Sequence, residues 1–137
     1  MRAMTTLAGV WAALALWGLG ELWGQSGVSP LAVLVGVTFV LVQGGMMLTL
    51  SGPLPAHKAL LGALFLALPV AGLVGLAGLR FAPATDVVED PAVPLMAALL
   101  VLYGAPFLLV RLVNPDQWRR YEALFDAAWT MHLRFVV

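Results

Sequence analysis

The two histidines have the broadest potential chemistry in this sequence, because a pair of histidines can ligate a haem or a metal ion. His57 and His132 both fall outside the long apolar runs of the chain. Histidines that hold a b-haem in a membrane protein normally lie within the spans. We therefore interpret His57 as an interfacial residue and His132 as a packed one, and we expect no metal and no cofactor.

The acidic residues offer two further candidates for chemistry. Glu21 lies near the end of the first apolar run, beside Trp23. A proton-coupled carrier is expected to hold an ionisable relay deep in the membrane. No other acidic or basic residue is expected in the middle of a run, so Glu21 is interpreted as an interfacial charge. Asp86, Glu89 and Asp90 lack the spacing of a calcium-binding loop, and we interpret them as part of a solvated loop.

Two polar residues within the apolar runs are predicted to lie at similar depth. Gln43 and Tyr103 each fall roughly halfway along a run that begins on the same side of the membrane. An amide has no hydrogen-bonding partner in lipid, so we expect both side chains to face the protein interior. A hydrogen bond between them would contribute about 0.6–2 kcal/mol. Contact with a quinone or a lipid headgroup is the alternative.

The sequence contains no motif that specifies a reaction. It has no nucleophile–base pair, phosphate-binding loop or catalytic pair of carboxylates. It also has no cysteine, which excludes disulfides, thiolate catalysis and iron–sulfur ligation within it. The formal net charge is zero, so nothing indicates a nucleic-acid partner. We expect a protein that is not an enzyme.

The composition indicates that most of the chain is dissolved in lipid. Hydrophobic residues make up 62% of the 137 residues and charged residues 10%, whereas a soluble domain carries about 25% charged residues. Four apolar runs are long enough to cross a hydrocarbon core as helices: 4–23, 31–50, 59–79 and 92–113. The sequence therefore predicts an all-α integral membrane protein, with a four-helix transmembrane bundle over 1–113.

The distribution of basic residues predicts the orientation of this bundle. With the N-terminus in the cytoplasm, only Arg80 of the basic residues falls outside. Six fall on the cytoplasmic side, as the positive-inside rule requires: Arg2, Lys58, Arg111, Arg119, Arg120 and Arg134. We predict a multi-pass protein of a prokaryotic-type plasma membrane, with both termini cytoplasmic.

The stretch "NPDQWRRYEALFDAAWTMHLRF" differs from the rest of the chain in its charges and aromatic residues. Asn114 as N-cap and Pro115 at the first helical position predict a helix from 115 to about 135. At about 100° per residue its aromatic side carries Trp118, Tyr121, Phe125 and Trp129, whereas Leu133 falls on the polar side. We interpret 114–137 as an amphipathic helix lying along the cytoplasmic surface, with its aromatic side against headgroups or a protein partner.

Glycines in the third apolar run are predicted to support close helix packing. Gly72, Gly75 and Gly78 recur every three residues, and small residues let helices approach closely in lipid. We expect these three to form a shallow groove that another helix or a lipid chain fills.

These observations favour a non-catalytic accessory, assembly or anchoring subunit of a larger membrane complex. The expected partners are the bilayer, other membrane subunits or further copies of the chain. A small homo-oligomeric transporter or channel lined by Glu21, Gln43 and Tyr103 is one alternative. A membrane anchor of a respiratory enzyme that binds b-haem or quinone is another.

Overall fold

The described part of the chain consists of helices and the turns that connect them, and it contains no strand. This computed structural model describes residues 2–51, 54–81, 83, 86, 90, 92–113, 115–116 and 119–136, and at 2–5, 121, 131–132 and 134–136 it describes the backbone alone. Five helices follow one another: α1 Arg2–Leu22, α2 Pro30–Leu50, α3 Ala56–Gly78, α4 Ala92–Val113 and α5 Tyr121–Val136.

Three of these helices, α2, α3 and α4, are long and apolar enough to cross a membrane. Over the residues with described side chains, α1 contributes the shorter apolar segment Thr6–Leu22. The predicted runs at 31–50, 59–79 and 92–113 match α2, α3 and α4 to within a few residues. The length follows from helix geometry, because about 20 residues at 1.5 Å each span a hydrocarbon core of roughly 30 Å.

The ends of the helices follow from local sequence. Gly24 and Gly27 have φ of 82° and 100° in the connection before α2, a conformation that glycine adopts without steric cost. Pro30 then begins α2, where its missing N–H is not needed. At the start of α4, the carboxylate of Asp90 accepts a hydrogen bond of 2.9 Å from the backbone N–H of Ala92. This part of the predicted acidic loop therefore caps a helix.

Helices α2 and α3 form the central antiparallel pair of the bundle. Near one end, Gly78 lies directly against the side chain of Leu31, and a Cβ added at Gly75 would lie 3.4 Å from Val35. Near the other end, a Cβ added at Gly62 would lie 3.0 Å from Leu50. The absence of side chains at these three glycines lets α3 approach α2 along most of its length.

Gly72 does not share this role, so the predicted groove of three glycines is wrong in part. Nothing lies within 4 Å of a Cβ added at Gly72, and the residue is exposed. The spacing of three residues turns the helix by about 300°, so successive glycines drift around it. Over six residues this drift is enough to carry Gly72 off the surface that contacts α2.

The remaining two long helices flank the central pair. In the described part of the chain, α1 packs mainly on α2, where a Cβ added at Gly44 would lie 3.3 Å from Ala12. Helix α4 packs on α3, where a Cβ added at Gly104 would lie 3.0 Å from Leu66. Much of the surface of α1 and of α4 therefore faces away from the other helices.

The largest core cluster lies at the end of the bundle where α2 ends and α3 begins. It joins Met47 and Leu50 of α2, Ala59 of α3 and Leu109 of α4 with Ala127 of α5. All five helices contribute to it, because Ala8 of α1 also belongs to the cluster. Helix α5 is thus held against this end of the bundle.

Helix α5 begins at Tyr121, so the predicted start at Pro115 is wrong. Pro115 and Asp116 form a turn, and the Pro115 carbonyl accepts a hydrogen bond of 3.2 Å from the guanidinium of Arg111. The helical bonds begin with Leu124 N–H to Arg120 carbonyl. An Asn-Pro pair is as typical of a turn as of a helix start. Asn114, the predicted N-cap, lies outside the described residues.

Candidate partner-binding face and intramembrane polar residues

The side of α5 that contacts the bundle is formed by small and aliphatic residues. Ala127 is buried, and Ala123 and Leu124 are partly buried against the core cluster. Ala123 and Ala127 are four residues apart and therefore lie on one side of the helix. Because alanine has a short side chain, the backbone of α5 can approach α4 and α2 closely, and these are the helices that it contacts.

The opposite side of α5 exposes large apolar residues. Phe125, Trp129 and Leu133 are 54%, 59% and 48% exposed. Their spacing of four residues places them in one stripe, which we call the α5 stripe. Leu133, which the sequence predicts on the polar side of the helix, is exposed together with Glu122 and Asp126 of that side. The predicted partner-binding face does not include Leu133, and its spacing of eight residues from Phe125 is the signal that could have added it.

Acidic residues border the α5 stripe. Glu122 and Asp126 are exposed, and they lie one turn apart beside the aromatic residues. Two further residues of the predicted aromatic face cannot be compared with the fold: Trp118 lies outside the described residues, and so does the side chain of Tyr121. The described surface is therefore an apolar stripe with a negatively charged border.

Gln43 and Thr49 are the two buried polar residues of the described bundle, and Gln43 alone of them has an unsatisfied side-chain atom. Gln43 is 4% exposed, and its amide oxygen has no hydrogen-bond partner among the residues described. On α2, Gly44 contacts α1 and Leu50 contacts α3, and at 100° per residue Gln43 falls between these two sides. The side chain therefore lies in the interior of the bundle, as expected from its polarity.

Tyr103 lies on the outside of the bundle, so the predicted interior pair with Gln43 is wrong. It is 63% exposed, although its neighbour Gly104 packs on Leu66 near the middle of α3. The contacts that α3 makes with α2 and with α4 agree with the expectation that Gln43 and Tyr103 lie at a similar depth. They differ in direction, because α4 turns Gly104 rather than Tyr103 towards the bundle.

The other candidate residues are dispersed. Glu21 is exposed at the end of α1, where its backbone carbonyl accepts a hydrogen bond of 2.6 Å from the Gln25 amide. His57 is exposed in the first turn of α3. The His132 side chain and Glu89 lie outside the described residues. Within the described part of the chain, no group of three potential metal-ligating side chains is found.

The three residues of the alternative transport pathway do not share a surface in a single chain. Glu21 is exposed at a helix end, Gln43 is interior, and Tyr103 faces outward. The α5 stripe, by contrast, is one continuous surface on one helix.

Fold and site together define a small all-helical protein with three helices of membrane-spanning length. Comparison with protein families, with curated proteins and with solved structures finds no significant match.

Proposed function

We propose that this chain is a non-catalytic subunit of a larger membrane complex, which it serves as an accessory, assembly or anchoring component. One observation carries this proposal: α5 is docked on the bundle by its alanine side while the α5 stripe is exposed. A helix that needed only to cover its own bundle would turn its largest apolar residues inward, because burial of each contributes about 1.5–3 kcal/mol.

A protein partner suits this surface better than an anionic lipid surface does. Helices that lie in membrane interfaces are typically rich in Lys and Arg on their polar side. The described residues that border the α5 stripe are Glu122 and Asp126, which anionic headgroups would repel. A partner surface with an apolar centre and basic rim complements both the stripe and its border.

The proposed setting is a prokaryotic-type plasma membrane. In this arrangement α1 is a fourth span, both termini are cytoplasmic, and α5 lies along the cytoplasmic surface. The charge distribution supports it, since Arg80 alone among the basic residues falls on the outer side. The α5 stripe is then presented at the level where a neighbouring subunit meets both cytoplasm and membrane.

The test compares partner retention by variants of α5 in the purified protein. Trp129→Ser with Leu133→Ser removes two large side chains of the stripe without touching the alanine side. The matched control is Thr130→Ala, which changes an exposed residue of the same turn. Tagged chains are purified from their native membranes in mild detergent, and co-purifying polypeptides are quantified by mass spectrometry.

We expect one defined set of membrane polypeptides with the unaltered chain and with the control, and a loss of at least tenfold with the double variant. Two truncated anchor residues of about 2 kcal/mol each suffice for this loss. Equal retention by all three chains, with the double variant still inserted in the membrane, would contradict the proposal.

A further inference from the structure

The hydroxyl of Tyr103 is unusual among the polar groups of the apolar helices. Thr38 donates a hydrogen bond of 2.9 Å to the Leu34 carbonyl, and Thr49 one of 3.0 Å to the Met46 carbonyl. Short hydroxyl side chains satisfy themselves in this way within a helix. A tyrosine hydroxyl lies at the far end of a rigid ring and cannot reach the carbonyls of its own turn.

Tyr103 finds no substitute partner within the described chain. It is 63% exposed, and none of the hydrogen bonds among the described residues involves its hydroxyl. It is the twelfth of the 22 residues of α4, roughly 16 Å from the start of the helix at 1.5 Å per residue. In a spanning α4 this hydroxyl lies near the middle of the hydrocarbon, where no water or headgroup can pair with it.

The residues around Tyr103 form a regular surface suited to another helix. Met96, Leu100, Tyr103 and Phe107 are all exposed and are separated by four, three and four residues. This is the spacing of the contact positions in a pair of supercoiled helices. We call these four residues the α4 seam. The exposed side of α3 differs, since Leu61, Phe65, Leu68 and Leu76 offer lipid no polar group.

We propose that the α4 seam binds the same seam of a second copy of this chain, in a parallel pair of helices with Tyr103 facing Tyr103. A tyrosine hydroxyl both donates and accepts, so two of them can pair with each other. Copies that insert in one orientation hold their α4 helices parallel. A two-fold axis along the membrane normal then brings identical positions together.

This homodimer goes beyond the proposed function and does not depend on it. The seam lies on α4, whereas the partner-binding surface is the α5 stripe. Variants of one surface leave the other unchanged, so failure of either proposal can be recognised separately.

The first test uses disulfide crosslinking, for which the cysteine-free chain is a clean background. Met96→Cys and Phe107→Cys each place a cysteine in the seam and keep Tyr103 intact. Leu95→Cys and Leu102→Cys are the matched controls, because these residues are similarly exposed on α4 but lie off the seam. Each variant is oxidised in native membranes, and crosslinked dimers are counted by non-reducing electrophoresis.

We expect dimers from the two seam variants and few from the two controls, because a disulfide requires Cα atoms about 4.4–6.8 Å apart. Absence of dimers from all four variants would show that lipid covers the seam and would overturn the proposal. Preferential crosslinking at Leu95 and Leu102 would assign the interface to another face and would overturn it equally.

The second test addresses the hydroxyl itself. Tyr103→Phe keeps the ring and removes the hydrogen-bonding group. We expect the dimer dissociation constant, measured by energy transfer between labelled chains in phosphatidylcholine vesicles, to rise about three- to twentyfold. Phe65→Leu on the exposed side of α3 is the control and should change nothing. An unchanged dissociation constant for Tyr103→Phe would overturn the proposal, since the hydroxyl pair is what selects a second copy.

Discussion

At the scale of single residues, the amide oxygen of Gln43 is buried without a hydrogen-bond partner among the described residues. A buried acceptor without a hydrogen bond loses its hydration and gains nothing in return, at a cost of about 1–3 kcal/mol. Its neighbours Thr38 and Thr49 avoid this cost through their own helix. Gln43 does not, because its amide oxygen is buried and has no partner in the part of the chain that the structure describes.

Replacement of Gln43 by leucine should therefore leave the protein as stable as before, or stabilise it by up to about 2 kcal/mol. The free energy of unfolding, measured by titration with dodecyl sulfate in mixed micelles, checks this. Gln43→Glu is the opposing variant and should destabilise, since a buried carboxylate has no partner here. A loss of more than about 1 kcal/mol in Gln43→Leu would show that the amide oxygen is paired in the intact protein.

At the scale of helices, the glycines of α3 divide into two groups that the sequence does not distinguish. Gly62 lies where three helices meet, because a Cβ there would contact Leu50 of α2 and both Leu108 and Leu112 of α4. Gly72 faces open space on the same helix. The first glycine thus permits close packing of the helices. At the second position a larger residue would disturb no contact.

This difference predicts that the same substitution destabilises the protein at Gly62 and has little effect at Gly72. Gly62→Val should lower the free energy of unfolding by about 1–3 kcal/mol, because the added methyl groups meet side chains of two neighbouring helices. Gly72→Val is the matched control and should change it by less than about 0.5 kcal/mol. Thermal unfolding in detergent measures both. Equal losses at the two positions would mean that helix propensity rather than packing determines the effect.

At the scale of the whole molecule, the contribution of α1 decides the topology. Three helices reach spanning length and hydropathy, and α1 packs mainly on α2 through small residues such as Ala12 and Gly44. If α1 also spans, the N-terminus lies on the same side as α5. If it lies on the surface instead, the N-terminus is on the side of the connection between α1 and α2.

Cysteine labelling in this cysteine-free chain separates the two arrangements. With four spans, a membrane-impermeant maleimide should label Ser26→Cys and Arg80→Cys in intact cells. Ala3→Cys, His57→Cys and Asp126→Cys should react only after the membrane is opened. The six-to-one distribution of basic residues is the physical reason. Labelling of Ala3→Cys together with Ser26→Cys in intact cells would exclude α1 as a span.

The helices of this protein could be predicted from the sequence because apolar runs and their interruptions are local properties. Runs of about 20 apolar residues predicted the bounds of α2, α3 and α4 to within a few residues. The glycines before α2 are typical of a turn, and in the structure they adopt positive φ in the connection between α1 and α2. Burial of Gln43 was also predictable, because an amide pointing into lipid has no partner. These outcomes depend on the chemistry of a residue and its immediate neighbours.

Only the tertiary structure decided which face of each helix meets another helix. In a run that is apolar all round, the sequence contains little to orient the helix, so it predicts Tyr103 inside the bundle whereas Tyr103 lies outside. For the same reason the sequence does not separate Gly72 from Gly75 and Gly78. On α5, whose pattern is amphipathic, the alanine side reached the bundle and left Trp129 and Leu133 exposed. Close approach of backbones, rather than burial of the largest side chain, decided that contact.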